Sequence, residues 1–193
     1  MISSVAVVGA GNMGSGIAKK IATEGFPVIL VDSDLQRAEQ GKARIAKLLA
    51  EGVERKIFKP DQVDVILSRV TPAGELRALA DVDLVIEAIF EDIDVKRSLF
   101  AELSKICRQE AILATNTSSF LVADVAEAVD KADRVVGLHY FFHPAKNRLV
   151  EVIGHQGTSA DTLRTAWAFS SKEERIGLLE KLYENYKKRW ADI

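Results

Sequence analysis

The fold of this 193-residue chain is decided by Val5-Ala6-Val7-Val8-Gly9-Ala10-Gly11-Asn12-Met13-Gly14. The four apolar residues predict a buried strand, three spaced glycines predict a tight turn, and a helix pattern follows over Met13–Thr23. In such a turn Gly9 permits the sharp bend, Gly11 lets the backbone approach a pyrophosphate, and Gly14 lets the helix pack closely on the strand. The stretch therefore predicts the start of a dinucleotide-binding unit, with free helix amide groups facing a phosphate.

A second strand candidate, Val28–Val31, ends at Asp32, where the acid of a dinucleotide fingerprint is expected. A carboxylate there accepts hydrogen bonds from both hydroxyls of the adenosine ribose and repels a 2′-phosphate, so the pattern favours NAD over NADP. The alternatives are a glycine-rich turn with an unrelated aspartate, or a site for FAD or another nucleotide. The order of strand, glycine turn, helix and acid favours the NAD site.

Short apolar strands alternate with helix patterns along most of the chain. Strands that are almost continuously apolar and separated by helices predict an α/β fold of the doubly wound Rossmann type, with a mostly parallel sheet covered on both faces. Residues 52–66 interrupt this order with a charged, helical excursion around Lys59-Pro60. The remaining strand candidates are Arg69–Thr71, Leu84–Glu87, Ile112–Thr115, Val135–Leu138 and Val150–Ile153, and the remaining helix patterns are Leu35–Ala50, Val95–Cys107 and Ser119–Ala128.

The last part of the chain has a different pattern. Thr158–Phe169 predicts a helix that should lead to a further strand, but Ser171–Ile193 instead predicts a second, amphipathic helix. We therefore expect a Rossmann-type domain over residues 1–171 and a C-terminal helical tail over residues 172–193. The apolar stripe of that helix would either fold back over the domain or, as we favour, pair with a second copy in a homodimer.

The composition excludes several functional classes. The net charge is −2 and the basic residues are mostly scattered, so we expect no nucleic-acid partner. No apolar run reaches the roughly 18 residues of a membrane span, and a first strand beginning at Val5 leaves no room for a signal peptide. The single cysteine, Cys107, excludes an internal disulfide and is typical of a reducing compartment. We expect a cytoplasmic protein with no membrane partner.

Polar side chains follow two of the central strand candidates. The run from Glu87 to Glu91, with Lys96 shortly after it, follows one strand, and Asn116-Thr117-Ser118-Ser119 follows the next. Because ligands bind at the carboxyl ends of strands in doubly wound sheets, we expect these groups to face the cofactor crevice. The residues alone leave open whether 116–119 bind a substrate or whether Ser118 or Ser119 caps the following helix.

Two residues near the end of the predicted sheet are difficult to bury alone. His139 follows the β-rich run Arg134–Leu138, and Glu151 stands among the apolar neighbours of Leu149–Ile153. Together they could form an oriented acid/base pair. On the residues alone, the plainer alternative is favoured, in which a satisfied histidine at a strand end lies beside a solvated glutamate. The histidines have no metal-ligand spacing, so we expect no metal site.

At these segments the chain resembles the NAD-binding domain of the L-3-hydroxyacyl-CoA dehydrogenase family, which includes 3-hydroxybutyryl-CoA dehydrogenases and the dehydrogenase part of fatty-acid oxidation multienzymes. The order and spacing of the segments agree over roughly residues 3–170. The last two segments are more specific than the glycine turn. The matching segments are Val8–Ala18, Val85–Glu91, Asn116–Ser119, and Gly137–His139 through Leu149–Ile153.

The resemblance implies a role for each matching residue. The family's catalytic histidine and its partner glutamate correspond to His139 and Glu151, and its substrate-contacting serine to Ser118. Its cofactor-contacting glutamate and lysine correspond to Glu91 and Lys96. The other residues expected to contact the cofactor are Gly9, Gly11, Asn12, Met13, Gly14, Asp32 and Asn116.

The chemistry that the resemblance implies suits these residue types. An oxidoreductase of fatty-acid β-oxidation would convert a 3-hydroxyacyl-CoA to a 3-oxoacyl-CoA, or the reverse, with the hydride going to NAD and the hydroxyl proton to a neutral imidazole. Glu151 would hold the other ring nitrogen of His139, fix its tautomer and stabilise the imidazolium. We therefore expect NAD as cofactor and an acyl-CoA as substrate.

The chain departs from the family pattern in two places. The usual His-Phe-Phe-Asn-Pro is replaced by the longer run from His139 to Pro144, although the spacing to Glu151 is kept. The resemblance also stops near Phe169-Ser170-Ser171, whereas family members continue into another strand and a helical domain that completes the acyl pocket and the dimer interface. Residues 172–193 could be a natural short ending, a fusion or an altered terminus.

Two other functions stay open on the sequence. One is a nucleotide-binding module or truncated domain with little activity of its own. The other is a dehydrogenase of a different hydroxyacid, similar to sugar-acid or lens-crystallin relatives of the family.

Overall fold

The computed structural model describes residues 2–171 except 145, 146 and 148. The strands are β1 (Val5–Val8), β2 (Val28–Val31), β3 (Val70–Ala73), β4 (Leu84–Glu87), β5 (Ile112–Thr115), β6 (Val135–Tyr140) and β7 (Val150–Ile153). The α-helices are α1 (Asn12–Thr23), α2 (Leu35–Glu54), α3 (Pro60–Ser68), α4 (Ile93–Ile106), α5 (Val122–Ala126) and α6 (Ala160–Ser170). The amphipathic helix expected beyond residue 171 lies outside the described residues, so that helix and the boundary of the tail stay predictions.

The strands form one sheet in the order β3-β2-β1-β4-β5-β6-β7. All neighbours pair in parallel except β6 and β7, which are antiparallel. The predicted mostly parallel, doubly wound sheet is confirmed. The direction of β7 follows from its connection, because residues 141–149 are too few for the crossover that a parallel neighbour requires.

The core lies on both faces of the sheet, as the continuous apolar strands predict. Alternate residues of β1 face opposite sides, with Val5 and Val7 in one buried cluster and Ala6 and Val8 in the other. The first cluster includes side chains of α1 and α2, and the second includes side chains of α4 and α5. Each large apolar side chain fully buried in this way contributes about 1.5–3 kcal/mol to folding. Among the described residues, no helix is both long and apolar enough to cross a bilayer.

The charged excursion over residues 52–66 divides into the end of α2 and the start of α3. Helix α2 continues past Gly52, where a Cβ atom would come within 2.5 Å of the Phe58 ring, so glycine lets Phe58 pack against the helix. Helix α3 begins at Pro60, which suits the first helical position because that position needs no amide donor.

The expected helix over Ser119–Ala128 is shorter, and the capping hypothesis for its serines is wrong. Helix α5 begins at Val122 with Leu121 as its N-cap, and Leu121 makes no side-chain capping bond. The amide groups of Ser118 and Ser119 instead donate to Glu91 Oε1, at 3.2 Å each. The Glu91 carboxylate, which follows β4, therefore determines the place of these two serines in the loop, and α5 does not.

Asp83 fastens the chain before β1 to the start of β4. Its Oδ2 accepts hydrogen bonds from the amide and hydroxyl groups of Ser3 and Ser4 at 2.7–3.2 Å, while Oδ1 accepts from Arg108. Burial opposes ionisation here, but the hydrogen bonds from Ser3 and Ser4 hold the pKa of Asp83 well below its usual range.

The lowered pKa of Asp83 links stability to pH. A carboxyl group with a depressed folded-state pKa stabilises the fold fully above the pKa of the unfolded aspartate, about 4, and loses this effect as the pH falls through the folded value. We expect Asp83→Asn to reduce the free energy of unfolding by about 1–3 kcal/mol near neutral pH. Urea denaturation at neutral pH and at points below pH 4 should show this loss shrinking with acidity.

The matched control is Asp81→Asn, because Asp81 is exposed. That substitution should change the free energy of unfolding by less than about 0.5 kcal/mol. Equal losses for the two variants at neutral pH would contradict the role assigned to Asp83.

Candidate active site

Close backbone contacts require glycine at two positions of the turn after β1. Gly9 has a φ of +99°, and a Cβ atom there would lie 2.6 Å from the carbonyl oxygen of Ala88. A Cβ atom on Gly14 would lie 1.7 Å from the carbonyl oxygen of Gly9. The sharp bend and the close approach of α1 therefore both depend on glycine, as the sequence predicts.

Gly11 differs from these two glycines because nothing in the described fold crowds it. Its φ of −69° is open to any residue, and no atom lies within 4 Å of a Cβ atom placed there. The protein's own packing gives no reason for glycine at this position. A ligand that comes close to the backbone would give one.

The start of α1 faces the space beside Gly11. The helix begins at Asn12, and its N-cap, Gly11, offers no side-chain acceptor. Its first turn has no acidic residue, so first-turn amide groups and the helix dipole can receive an anion. Met13 lies partly buried against the core and so anchors this turn from the protein side. These features fit the pyrophosphate of a dinucleotide.

Asp32 lies beside this turn, at the end of β2. Its Oδ2 accepts a hydrogen bond from the Ala10 amide at 2.7 Å, and its Oδ1 accepts one from the Ser33 amide at 2.8 Å. An ionised carboxylate has about four acceptor sites, so both oxygens can also accept from ribose hydroxyls. The carboxylate borders a cleft of about 440 Å³, lined by Ala10, Gly11, Asp32, Asp34, Gln36, Arg37, Gln40 and Arg44.

A contact that the sequence does not predict fixes the turn. The carbonyl oxygen of Ala10 accepts hydrogen bonds from Arg44 Nη1 at 2.6 Å and from the Ser15 hydroxyl at 2.9 Å. Gln36, Gln40 and Arg44 follow one another at four-residue intervals and so share a face of α2. That spacing, which begins just after Asp32, could have identified the helix face that lines the cleft.

A buried ion pair joins α4 to the end of β4, and a hydrogen bond from β5 completes it. The side chains of Lys96 and Glu87 are fully buried, with Lys96 Nζ 2.6 Å from Glu87 Oε1 and 3.1 Å from Glu91 Oε2. Glu87 also accepts hydrogen bonds from the Thr115 hydroxyl at 2.7 Å and from the Ile89 amide at 2.8 Å. Removing one partner of such a pair typically costs about 3–5 kcal/mol. Lys96 therefore holds the loop after β4 in place, and its expected contact with a cofactor stays a prediction.

Glu91 extends this network towards β5. Its Oε1 accepts hydrogen bonds from the Thr117 hydroxyl and from the amide groups of Ser118 and Ser119. Partial burial alone would raise the pKa of Glu91, but the Thr117 hydroxyl and the Lys96 ammonium bring it below its ordinary value. Glu91 is therefore ionised near neutral pH, and it positions the backbone of Ser118.

Asn116 connects the end of β5 to β6. Its side-chain Oδ1 accepts a hydrogen bond from the Tyr140 backbone amide at 2.7 Å, and its backbone N–H donates to the Glu87 backbone carbonyl at 2.9 Å. The side-chain oxygen is thus bonded to Tyr140, the residue that follows His139. Asn116 has a structural contact here in addition to the cofactor role expected for it.

His139 and Glu151 are direct partners across the antiparallel pair of β6 and β7. His139 Nδ1 lies 2.8 Å from Glu151 Oε2, and the imidazole side chain is 18 % exposed. The ring also packs on Phe141, with a distance of 4.6 Å between the ring centroids. The carboxylate orients the imidazole through Nδ1, so the other ring nitrogen is available for proton exchange.

The expected site residues therefore gather at one edge of the sheet. The turn after β1, Asp32, Glu91 and Asn116 all follow the carboxyl ends of parallel strands, and His139 lies near the same end of β6. Within the part of the chain that the structure describes, no group of three or more His, Cys, Asp or Glu side chains could hold a metal ion. The chemistry available at this edge is anion binding beside proton transfer.

Comparison with known proteins also indicates a dinucleotide-binding domain. The family model described as 3-hydroxyacyl-CoA dehydrogenase, NAD binding domain, matches residues 4–180. The alpha subunit of the fatty acid oxidation complex of Shewanella loihica is 36 % identical over 181 residues, which are 93 % of this chain and 26 % of that protein. A probable 3-hydroxyacyl-CoA dehydrogenase of Caenorhabditis elegans is 38 % identical over 177 residues, which are 88 % of this chain and 59 % of that protein.

A solved structure shares the fold over the same region. The crystal structure of 3-hydroxybutyryl-CoA dehydrogenase from Escherichia coli K12 superposes with a TM-score of 0.85 and 34 % identity, over 88 % of this chain and 36 % of that one. The chain thus spans about a quarter of the length of the Shewanella subunit and over half that of the C. elegans relative. The chain belongs to the 3-hydroxyacyl-CoA dehydrogenase family and carries its NAD-binding domain.

Proposed function

We propose that this chain performs the NAD-dependent oxidation of the 3-hydroxyl group of a 3-hydroxyacyl-CoA, or the reverse reduction. The observation that carries the proposal is the 2.8 Å contact between His139 Nδ1 and Glu151 Oε2, at the sheet edge that also holds the glycine turn. The names of the relatives, which include 3-hydroxyacyl-CoA and 3-hydroxybutyryl-CoA dehydrogenases, support this choice of substrate.

The cofactor would be held by the residues at the carboxyl edge. The first turn of α1, with Gly11 and Asn12, would receive the pyrophosphate, and Asp32 would accept hydrogen bonds from the adenosine ribose. Glu91, Lys96 and Asn116 lie farther along this edge, after β4 and β5, and would contribute to the rest of the cofactor site. When bound, NAD supplies the acceptor for the hydride that leaves the substrate carbon.

His139 would move the proton. With Nδ1 held by Glu151, the other ring nitrogen takes the proton of the substrate hydroxyl, and the carboxylate stabilises the imidazolium that forms. In the reverse direction, the same nitrogen returns the proton. Ser118, whose amide is fixed by Glu91, would offer its hydroxyl to the substrate oxygen.

A second candidate function is NAD binding with little turnover by the isolated chain. Three large apolar side chains at the carboxyl edge favour it, since Phe90 is 80 %, Leu121 70 % and Phe142 67 % exposed. Exposed apolar groups around a site indicate a surface that another element or a partner covers. An acyl-CoA held on this edge alone would stay open to water, and the reaction would be slow.

Substitutions of two glycines in the turn test folding and cofactor binding separately. Gly14→Ala should lower the melting temperature, because its Cβ atom would meet the Gly9 carbonyl. Gly11→Ala should leave the melting temperature unchanged but weaken NAD⁺ binding at least about tenfold, because the added methyl group would enter the space assigned to the pyrophosphate. Thermal denaturation and calorimetric titration with NAD⁺ measure these effects. Unchanged NAD⁺ affinity in Gly11→Ala would refute the placement of the pyrophosphate.

The proton-transfer pair is tested by turnover of 3-hydroxybutyryl-CoA, followed as NADH formation. His139→Gln should lower kcat by roughly 10²–10⁴-fold with NAD⁺ affinity unchanged, because a glutamine side chain cannot take the proton. Glu151→Gln should also lower kcat, because it removes the charge that stabilises the imidazolium.

The control for the histidine substitution is His155→Gln. His155 Nε2 is bonded to the Ala132 carbonyl at 2.9 Å, so it serves the loop after β7, and kcat should hardly change. Full activity of His139→Gln would refute the pair. NAD⁺ binding without turnover by the unmodified chain would favour the second candidate function.

We further propose a cytoplasmic location. We also propose a homodimer that forms through the amphipathic helix expected over residues 172–193. The apolar stripe in the sequence of that segment supports the homodimer. Sedimentation of the full chain should show a dimer, and removal of the segment should give a monomer. A monomer in both cases would eliminate the homodimer.

A further inference from the structure

Thr117 is buried within the otherwise exposed loop that carries Ser118. Only 5 % of Thr117 is exposed, whereas Ser118 and Ser119, which follow it, are both exposed. A polar side chain that is buried in this way needs hydrogen-bond partners inside the protein. The partners of its hydroxyl group therefore show what Thr117 does.

The Thr117 hydroxyl uses its whole hydrogen-bonding capacity inside the protein. It donates to Glu91 Oε1, and it accepts from the backbone amides of Ser119 at 3.3 Å and Phe120 at 3.1 Å. A hydroxyl group has one donor hydrogen and two acceptor lone pairs, so these three bonds leave none for a ligand. Thr117 can therefore influence a bound substrate only through the residues that it holds.

The Glu91 carboxylate, to which Thr117 donates, is itself held from the other side. Its Oε2 lies 3.1 Å from the Nζ of the fully buried Lys96. Its Oε1 also accepts from the backbone amides of Ser118 and Ser119, at 3.2 Å each. Two oxygen atoms, Glu91 Oε1 and Thr117 Oγ1, thus receive the amides of the three residues that follow Thr117. These bonds fix the backbone on both sides of the Ser118 side chain.

The side chain of Ser118 is the part of this loop that a ligand can reach. Ser118 is exposed, and its contact with Glu91 is made by its backbone amide. The loop follows β5, and the Asn116 side chain ties the end of that strand to Tyr140, the neighbour of His139. A turn of the backbone at Ser118 would redirect its hydroxyl, and a misplacement of about 1 Å in a site can cost on the order of 10²-fold in rate.

We propose that Thr117 is a positioning residue of the reaction, which acts through Ser118 and does not contact the substrate. By holding Glu91 and the two amides after Ser118, its hydroxyl directs the Ser118 hydroxyl towards the substrate oxygen. The Thr117 hydroxyl matters here and its methyl group does not, because only the hydroxyl is bonded to the loop. This inference rests on the proposed function, because it requires a substrate oxygen that both Ser118 and His139 can reach.

Two substitutions at Thr117 separate the effect of the hydroxyl from that of side-chain volume. Thr117→Val keeps the volume and loses the hydroxyl, so we expect kcat with 3-hydroxybutyryl-CoA to fall at least about tenfold. The dissociation constant for NAD⁺ should change less than about threefold, because Lys96 still holds Glu91. Thr117→Ser loses a methyl group and keeps the hydroxyl, so it should recover most of kcat.

A double substitution tests whether Thr117 acts through Ser118. Ser118→Ala removes the hydroxyl that Thr117 positions, so adding Thr117→Val to it should lower kcat by less than about a further threefold. If the two losses instead multiply in full, Thr117 acts by another route and the inference is overturned.

The matched control is Thr158→Val, which removes a hydroxyl with partners of the same kind at the other edge of the sheet. The Thr158 hydroxyl donates to the Val135 carbonyl at 2.8 Å and accepts from the His155 amide at 2.9 Å. Its loss should lower the melting temperature and leave kcat unchanged. An equal loss of kcat in Thr158→Val and Thr117→Val would mean that stability alone is responsible, and would overturn the inference.

Hydrogen exchange of the loop amides gives a readout that needs no turnover. In Thr117→Val the amides of Ser119 and Phe120 lose their acceptor and should exchange at least about tenfold faster, whereas Thr117→Ser should exchange as the wild type does. Unchanged exchange in Thr117→Val would overturn the inference even if kcat falls.

The outcomes distinguish this inference from the proposed function. If the wild-type chain is folded by circular dichroism and forms no NADH from 3-hydroxybutyryl-CoA, the proposed function fails and the inference fails with it. If the wild type is active and Thr117→Val keeps its kcat, only the inference is overturned.

Discussion

The close approach of α1 to the turn after β1 is the constraint on which the site depends. Gly14 lies so near the Gly9 carbonyl that no side chain fits between helix and turn, and Gly9 in turn lies against the Ala88 carbonyl after β4. These backbone contacts bring the ends of two neighbouring strands and the start of a helix into one small volume. The open space at Gly11 and the cleft beside Asp32 lie next to this tightly packed backbone.

Local pattern was enough to predict most of the fold, because its strands are buried on both faces and separated by regular helices. The glycine turn, Asp32 and the pairing of His139 with Glu151 could all be anticipated, since each combines a residue type with a position that suits it. The strand pattern alone leaves the direction of β7 open, whereas the short connection from β6 requires it to be antiparallel. The start of α5 differs from the predicted one because Glu91, which is distant in sequence, holds the amide groups of Ser118 and Ser119 in the loop.

The polar network around Lys96 shows why part of the site escaped prediction. The sequence predicts that Lys96 faces the cofactor crevice, yet Lys96 is fully buried and bonded to Glu87 and Glu91. Its burial depends on Thr115 and Thr117, which arrive from β5 and satisfy the remaining acceptor sites of the two glutamates. This network forms only when residues from different strands and a helix come together in the folded chain. The only local sign was Glu87 itself, a carboxylate in an apolar strand, which is the same sign that singled out Glu151.

The pairing of β6 with β7 holds His139 and Glu151 together whatever the shape of the loop that precedes β7. His139 and Glu151 face each other because they occupy matching places in an antiparallel ladder. A slip of one residue in that ladder would turn Glu151 to the other face of the sheet, whereas changes confined to residues 141–149 leave the ladder intact. Evolution is therefore free to remodel the loop beside the site, and with it the shape offered to a substrate, while the geometry of proton transfer is inherited from the sheet.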